Sequence, residues 1–433
     1  MWANRLSSVG RSTIGSVCSG LAAQGGLLIS GVLSSRILGP EDRGYLSLLI
    51  LAPLILCHLG GMGLPLATTY FVGKAPASAG SIARLLVKPA VVQAIVFGAV
   101  EVLILRAYVQ GRSTEVQQAA VLCGLLLPSW LASEYGYAFL QGQQRFAAFN
   151  VVRSWSKVLH AIILLAVFFL GVGTLPMVAA SWLAVSWLES AVTLAVVGRG
   201  IVWAPGVGSS PRWREMARFG LTALPGAISP IETLRLDQAM VGWFMSPASV
   251  GIYVTAGALT NAPRFIAQSV GAIAYPYIAG LEQRATAWRA TWRFFWLAFA
   301  ISLVLAIVIA AAADALIPLL FGDAFAGAAP VAQLLLFAAA LASGRRVLAD
   351  GARGLGYPGL GTAAEAVSWG AILAAAPFLL SRNGTAGMAA ALAIGSIVSL
   401  ATLIVGLNAK RRWGGRMVAA PVAHDGIALV DRT

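Results

Sequence analysis

The sequence predicts an all-α polytopic membrane protein of about 12 transmembrane helices, and three observations carry that prediction. Of 433 residues, 59% are hydrophobic and 11% charged, where a soluble domain carries about a quarter charged. Apolar runs of about 20 residues, the length needed to cross a hydrocarbon core of about 30 Å, recur from end to end. Lys and Arg also fall predominantly in alternate loops, as expected of a chain threaded back and forth through a bilayer.

The first span is expected at residues 13–34. It follows Arg5 and Arg11 and has no small-residue cleavage site, so it reads as a retained helix and not as a removed leader. The next five spans are expected at 45–70, 85–105, 116–140, 151–171 and 175–197. The stretch 198–218, rich in Gly, Pro, Ser and Arg, then reads as a linker. Spans follow at 217–245, 250–281, 292–312, 331–348, 359–380 and 386–407. An even number puts both termini on one side, and with that side cytoplasmic the inner loops and tails hold 23 of the 30 Lys and Arg, among them Lys157, Arg345 and Arg346. The outer side holds Arg36, Arg43, Arg106, Arg112 and Arg382. This bias supports the span count and an orientation with both termini inside, and a bacterial inner membrane is the expected location.

Composition also excludes function classes. The net charge of +14 is accounted for by inner-loop loading, so no nucleic-acid partner is expected. Twelve spans leave no room for a catalytic domain outside the membrane, so a transporter is expected and no catalytic residue is assigned. Cys18, Cys57 and Cys123 lie in apolar segments without a CxxC pair and read as small buried residues. His58 and His160 stand alone in apolar spans, so no metal site is expected.

Two echoes run through the chain. LGPEDRGYLSLL, with Pro40 and Gly44, matches MSPASVGIYVTA, with Pro247 and Gly251, 207 positions later. LQGQQRFAAFN at 140–150 matches ARGLGYPGLGT at 352–362. Together they suggest an internal duplication of the kind many transporters carry. The expected division is a six-helix bundle over 1–207, a second over 208–407 and a basic cytoplasmic tail over 408–433.

The stretches SSRILGPEDRGYLSLL, FLQGQQRFAAFN, LRLDQAMVGWFMSPASVGIYVTAGAL, LIPLLFGDAFAGAAPVAQLLLF and NGTAGMAAALAIGS, in that order, resemble the O-antigen-type polysaccharide flippases of the multidrug/oligosaccharidyl-lipid/polysaccharide exporter superfamily. The resemblance covers nearly the whole chain and lies closer to the exopolysaccharide type than to the peptidoglycan-precursor type. It implies two six-helix bundles around a central cavity, alternating access, and a polyprenyl-diphosphate-linked oligosaccharide as substrate. It also implies membrane lipids, a glycan polymerase and glycosyltransferases as partners. No cofactor is implied beyond coupling to a proton or sodium gradient. The rival readings are a cation-coupled drug exporter of the same superfamily, which would favour cavity carboxylates over arginines, and a membrane glycan polymerase or ligase, which would need a large outer loop.

An ionisable side chain within a span costs about 2.5–3.5 kcal/mol on insertion scales, so each is a site candidate. The seventh span is richest. Pro225 and Pro230 should break it, Glu232 and Arg235 are spaced to share a helical face, and Asp237 should lie about 200° from Arg235. Arg235 is expected to attract the substrate diphosphate with Glu232 holding its guanidinium; the alternative is a set of structural ion pairs. Arg264 in the eighth span, after Pro263, should sit near mid-depth as a second cationic wall, or else pair with a glutamate such as Glu134. Glu134 is a candidate for sugar binding or ion coupling; Glu189 and Glu365 admit the same roles. Glu101 is expected to snorkel toward Arg106. Arg145, Arg153 and Lys157 read as ordinary inner-side loading.

Overall fold

The computed structural model describes the backbone of residues 2–201, 211–229 and 231–417, and the side chains of 19–201, 211–224, 228–229 and 231–412. It contains fifteen α-helical segments, and no strand among the described residues. In chain order these are α1 (Trp2–Gly60), α2 (Leu64–Lys74), α3 (Ala79–Val109), α4 (Thr114–Cys123), α5 (Leu126–Gly142), α6 (Phe146–Leu170), α7 (Leu175–Arg199), α8 (Trp213–Ala227), α9 (Leu236–Phe244), α10 (Pro247–Ala258), α11 (Asn261–Ala279), α12 (Arg284–Ala311), α13 (Ala313–Phe321), α14 (Ala329–Gly354) and α15 (Pro358–Met417).

Eight stretches are long and apolar enough to cross a bilayer. Two of them, Ser19–Gly60 with 42 residues and Pro358–Arg412 with 55, are about twice the length that one crossing needs. Each holds one non-helical residue, Gly39 at φ 70° and Gly384 at φ 59°. Pro40 follows Gly39 as a helix-starting proline, so the expected loop at 34–45 shrinks to a single residue. At Gly384 the chain doubles back, since a Cβ on Gly387 would overlap the Leu379 carbonyl, eight residues away and about 12 Å distant in a straight helix. With the two broken passes α8–α9 and α10–α11, the described helices are compatible with twelve crossings. Large apolar side chains such as Leu103, Val121 and Phe169 stand exposed on them, as lipid-facing positions do.

The chain packs as two units that are discontinuous in sequence. One comprises residues 1–261, 306–337 and 374–391; the other comprises 262–305, 338–373 and 392–433. In the first unit, α1 and α10 meet through the first sequence echo. A Cβ on Gly44 would overlap the Pro247 carbonyl, and one on Gly251 would overlap that of Pro40. The contact is reciprocal and made by backbone on backbone, as small residues allow between membrane helices. Ser35 and Thr255 hydroxyls, 3.2 Å apart, join the same two helices. The second unit has its own core, in which Trp288, Phe295, Leu348, Ala364 and Leu403 pack together.

The second echo forms one turn twice. After α5, the amides of Gln144 and Arg145 bond the carbonyls of Gln141 and Leu140 at 2.9 Å; after α14, those of Gly356 and Tyr357 bond Arg353 and Ala352 at 3.0 and 2.8 Å. Both are Schellman caps, with Gln144 (φ 57°) and Gly356 (φ 85°) left-handed at the equivalent place.

Three expectations are corrected. Lys157 is eleven residues inside α6, and Arg345 and Arg346 lie well before the end of α14, so none is a loop charge. The apolar runs flanking them extend each helix beyond its hydrophobic stretch, and carboxylates in neighbouring helices receive Lys157 and Arg345. Glu101 does not snorkel: it is fully buried, with neither oxygen hydrogen-bonded. The centre of the expected linker, 202–210, the tail beyond 417 and the Cys18 side chain lie outside the described residues.

Candidate functional site

The seventh pass breaks, and the sequence of the break explains its shape. α8 runs past Pro225 to Ala227, Ile228 turns extended, and residues 231–234 form a turn before α9 begins. Ser and Thr hydroxyls compete with helical hydrogen bonding, and here they close the loop. The Ser229 amide bonds the Thr233 hydroxyl at 3.1 Å, while the Ser229 carbonyl accepts from the Thr233 and Leu234 amides at 2.7 and 3.1 Å. Pro230 itself and the Pro225 side chain lie outside the described residues. The break closes on Arg235, whose φ of 51° and ψ of 40° are left-handed. For a side chain with a Cβ that conformation costs about 1–2 kcal/mol, and such strain gathers at functional positions.

Because 231–234 is a turn, Glu232 and Arg235 do not share the helical face that their spacing suggests. Arg235 instead caps the start of α9. Asp237, in the first turn of α9, is buried and accepts a 2.9 Å bond from the Tyr253 hydroxyl of α10; its other oxygen has no hydrogen-bond partner among the described residues.

The break lines a cleft of about 270 Å³. Ile228 and Thr233 face it from the break, Leu224 from α8, Cys57 and His58 from α1, and Glu134 from α5. Glu134 is open to the cleft. A carboxylate, an imidazole and a hydroxyl in an otherwise apolar cleft are the few polar groups by which such sites orient a ligand.

Glu189 has a different setting. Its carboxylate takes an ion pair from Lys157 at 3.2 Å and a bond from the Tyr137 hydroxyl. Lys157 and Glu189 line a small cavity of about 80 Å³ that His160 also lines, its Nε2 3.2 Å from the Ser181 hydroxyl. Removing one partner of a buried pair strands the other charge. Lys157→Ala is therefore expected to destabilise the protein by about 3 kcal/mol, and the double change Lys157→Met, Glu189→Gln should recover most of it, as read by heat aggregation in detergent. Equal stability of the single variant and the parent would mean that the pair carries nothing.

In the second unit, Glu365 pairs with Arg345. Arg264 follows Pro263, whose carbonyl accepts from the Ser302 and Ser343 hydroxyls at 3.3 and 3.2 Å. Those bonds fix the start of α11 against α12 and α14.

Sequence reasoning left His58 out of any polar constellation, and nothing local marks either that residue or the bond of Tyr137 to Glu189 of α7.

The fold resembles solved transporters at low identity. An inward-facing multidrug resistance MATE family transporter of the MOP superfamily superposes with a TM-score of 0.68 at 15% identity, covering 94% of this chain and 100% of its own. The lipid II flippase MurJ in an inward closed conformation gives a TM-score of 0.70 at 12% identity, over 91% of this chain and 87% of its own. A Vibrio cholerae MATE transporter, VcmN, gives 0.60 at 14%, over 93% and 96%. No curated protein matches the sequence. The profile of the polysaccharide biosynthesis proteins, however, matches residues 33–330. With well over half of its length in that match, the chain belongs to the polysaccharide biosynthesis protein family.

Proposed function

We propose that this protein is a flippase that carries a polyprenyl-diphosphate-linked oligosaccharide from the cytoplasmic to the periplasmic leaflet by alternating access. The observation that carries the reading is the break between α8 and α9, a non-helical segment inside the expected seventh span. Such backbone is tolerated only where protein or a wet cavity meets it, and here it lines the cleft with His58 and Glu134. Membership of a polysaccharide biosynthesis family supports a lipid-linked glycan as the cargo of this reading.

In this reading Arg235 attracts the diphosphate, because a guanidinium is always charged and offers a planar fork to phosphate oxygens. Glu232 holds its guanidinium, Asp237 lies two residues on, and Arg264 is a separate cationic candidate within the second unit. Glu134 bonds sugar hydroxyls or carries a coupling proton. Glu189 and Glu365, already paired with Lys157 and Arg345, are structural in first place. The Gly44 and Gly251 contact between α1 and α10 is the close packing that, in this reading, parts for release.

The test is removal of the protein from its own cell. The lipid-linked oligosaccharide should accumulate on the cytoplasmic leaflet, with surface polysaccharide lost and restored on re-expression. Normal surface polysaccharide in the deletion strain would refute the assignment.

A further inference from the structure

Glu101 lies in the apolar pass Pro76–Val109, eight residues before its end. It is fully buried, and neither carboxyl oxygen has a hydrogen-bond partner among the described residues. Other buried acids are met by partners: Glu189 by Lys157 and Asp237 by the Tyr253 hydroxyl. An ionised carboxylate left alone in apolar surroundings costs far more than the neutral acid, so such a group takes up a proton instead. An acid kept inside a span without a partner marks a functional position.

Its neighbours place it beside the cleft. A Cβ on Gly60 would lie 2.8 Å from the Phe97 ring, so the end of α1 rests on α3 there. Cys57 is one turn back along α1 and Glu101 one turn on along α3, and consecutive passes run in opposite directions, which sets the two side chains opposite each other. The Cys57 thiol is within electrostatic reach of both Glu101 and Glu134, and Cys57 itself lines the cleft. From α4 the facing group is Cys123. α5 meets α3 two turns away, where the Tyr135 hydroxyl bonds Gln93 at 2.6 Å. α2 and α8 reach α3 no nearer to Glu101 than that, where Leu64 and Trp213 share a hollow with Lys88 and Gln93. Seen from the cleft, Glu101 stands behind Cys57.

We propose that Glu101 is a proton-binding site, the neutral acid in this conformation, and that its proton exchanges with water in the cleft, past Cys57, as the glycan lipid moves. Release leaves a carboxylate behind; uptake from water restores the acid. The inference rests on the flippase reading above and assigns the coupling proton to Glu101, leaving Glu134 to the sugar hydroxyls.

The first test uses dicyclohexylcarbodiimide, an apolar reagent that adds to a carboxyl carrying its proton and spares an ionised, paired one. Trypsin releases residues 85–106 as one peptide with Glu101 as its one acid, and 158–199 as another with Glu189 as its one acid. In the purified full-length protein at neutral pH, the first should be labelled at least tenfold more than the second. Equal labelling, or none on the first, overturns the inference. The second test is transport of a lipid-linked oligosaccharide in proteoliposomes. An imposed proton gradient should speed the parent at least tenfold and Glu101→Gln, the neutral isostere, less than twofold. Glu101→Asp should recover part of the acceleration, and Glu134→Gln should keep it. Acceleration retained by Glu101→Gln, or obtained from a sodium gradient in place of protons, overturns the inference and leaves the flippase reading intact. A labelled Glu101 in a parent that moves no oligosaccharide brings down the flippase reading while the proton site stands.

Discussion

Arg235→Ala is expected to reduce glycan export at least a hundredfold while the protein still inserts in the membrane. The guanidinium is the charge that the break presents at the head of α9, and the chain holds it there in a left-handed conformation that costs about 1–2 kcal/mol. That strain provides a control that most binding-site residues lack. Glycine adopts the same backbone freely, so Arg235→Gly relieves strain and removes charge together. Its stability should stay within about 1 kcal/mol of the parent, and its export should fall as far as that of the alanine variant. Arg235→Lys, with a point charge and no fork, should recover part of the export. Glycan export and detergent stability measured on all three variants decide the matter. Normal export by the glycine variant would show that the residue serves only the fold.

The second large effect is expected at Gly44 and Gly251. Neither position has room for a Cβ, because the opposing atoms are backbone carbonyls that no side-chain rotation can move. Gly44→Val or Gly251→Val forces α1 and α10 apart, losing close packing along the whole contact. Overpacking of this kind costs about 1–3 kcal/mol and more where backbone must shift. Export should drop at least tenfold in each variant. Cysteines at Ser35 and Thr255, whose hydroxyls lie 3.2 Å apart, should crosslink readily in the parent and poorly in either valine variant. Efficient crosslinking together with normal export would exclude the contact as a closing point.

Much of this fold is legible in the sequence, for reasons that can be located. Apolar length sets the crossings because the bilayer core sets the length. Pro and Gly set the breaks, as at Gly39–Pro40 and in the seventh pass. The two echoes were legible because each marks a backbone requirement: Pro40 and Gly44 a close helix contact, Gln144 and Gly356 a left-handed cap. The partners of charges were not legible. Whether Glu189 meets Lys157, or Glu365 meets Arg345, depends on how each helix is rotated about its axis, and that is fixed by side-chain packing between helices distant in sequence. The break in the seventh pass was expected from its prolines, but its extent was not. Ser229 and Thr233 close the loop with their own hydroxyls, and a left-handed arginine has no composition signal. Glu101 was read as reaching for Arg106, an argument from one helix alone; packing against other helices buries it completely.

The most direct measurement is transbilayer movement in proteoliposomes holding the purified full-length protein and one lipid-linked oligosaccharide labelled on its glycan. A membrane-impermeant glycosidase added outside cleaves only outward-facing substrate. Without the protein about half should be cleaved, and with it nearly all, through a process that Arg235→Ala abolishes. Cleavage that stops at the same half with and without the protein, under an imposed proton or sodium gradient of either direction, would contradict a flippase.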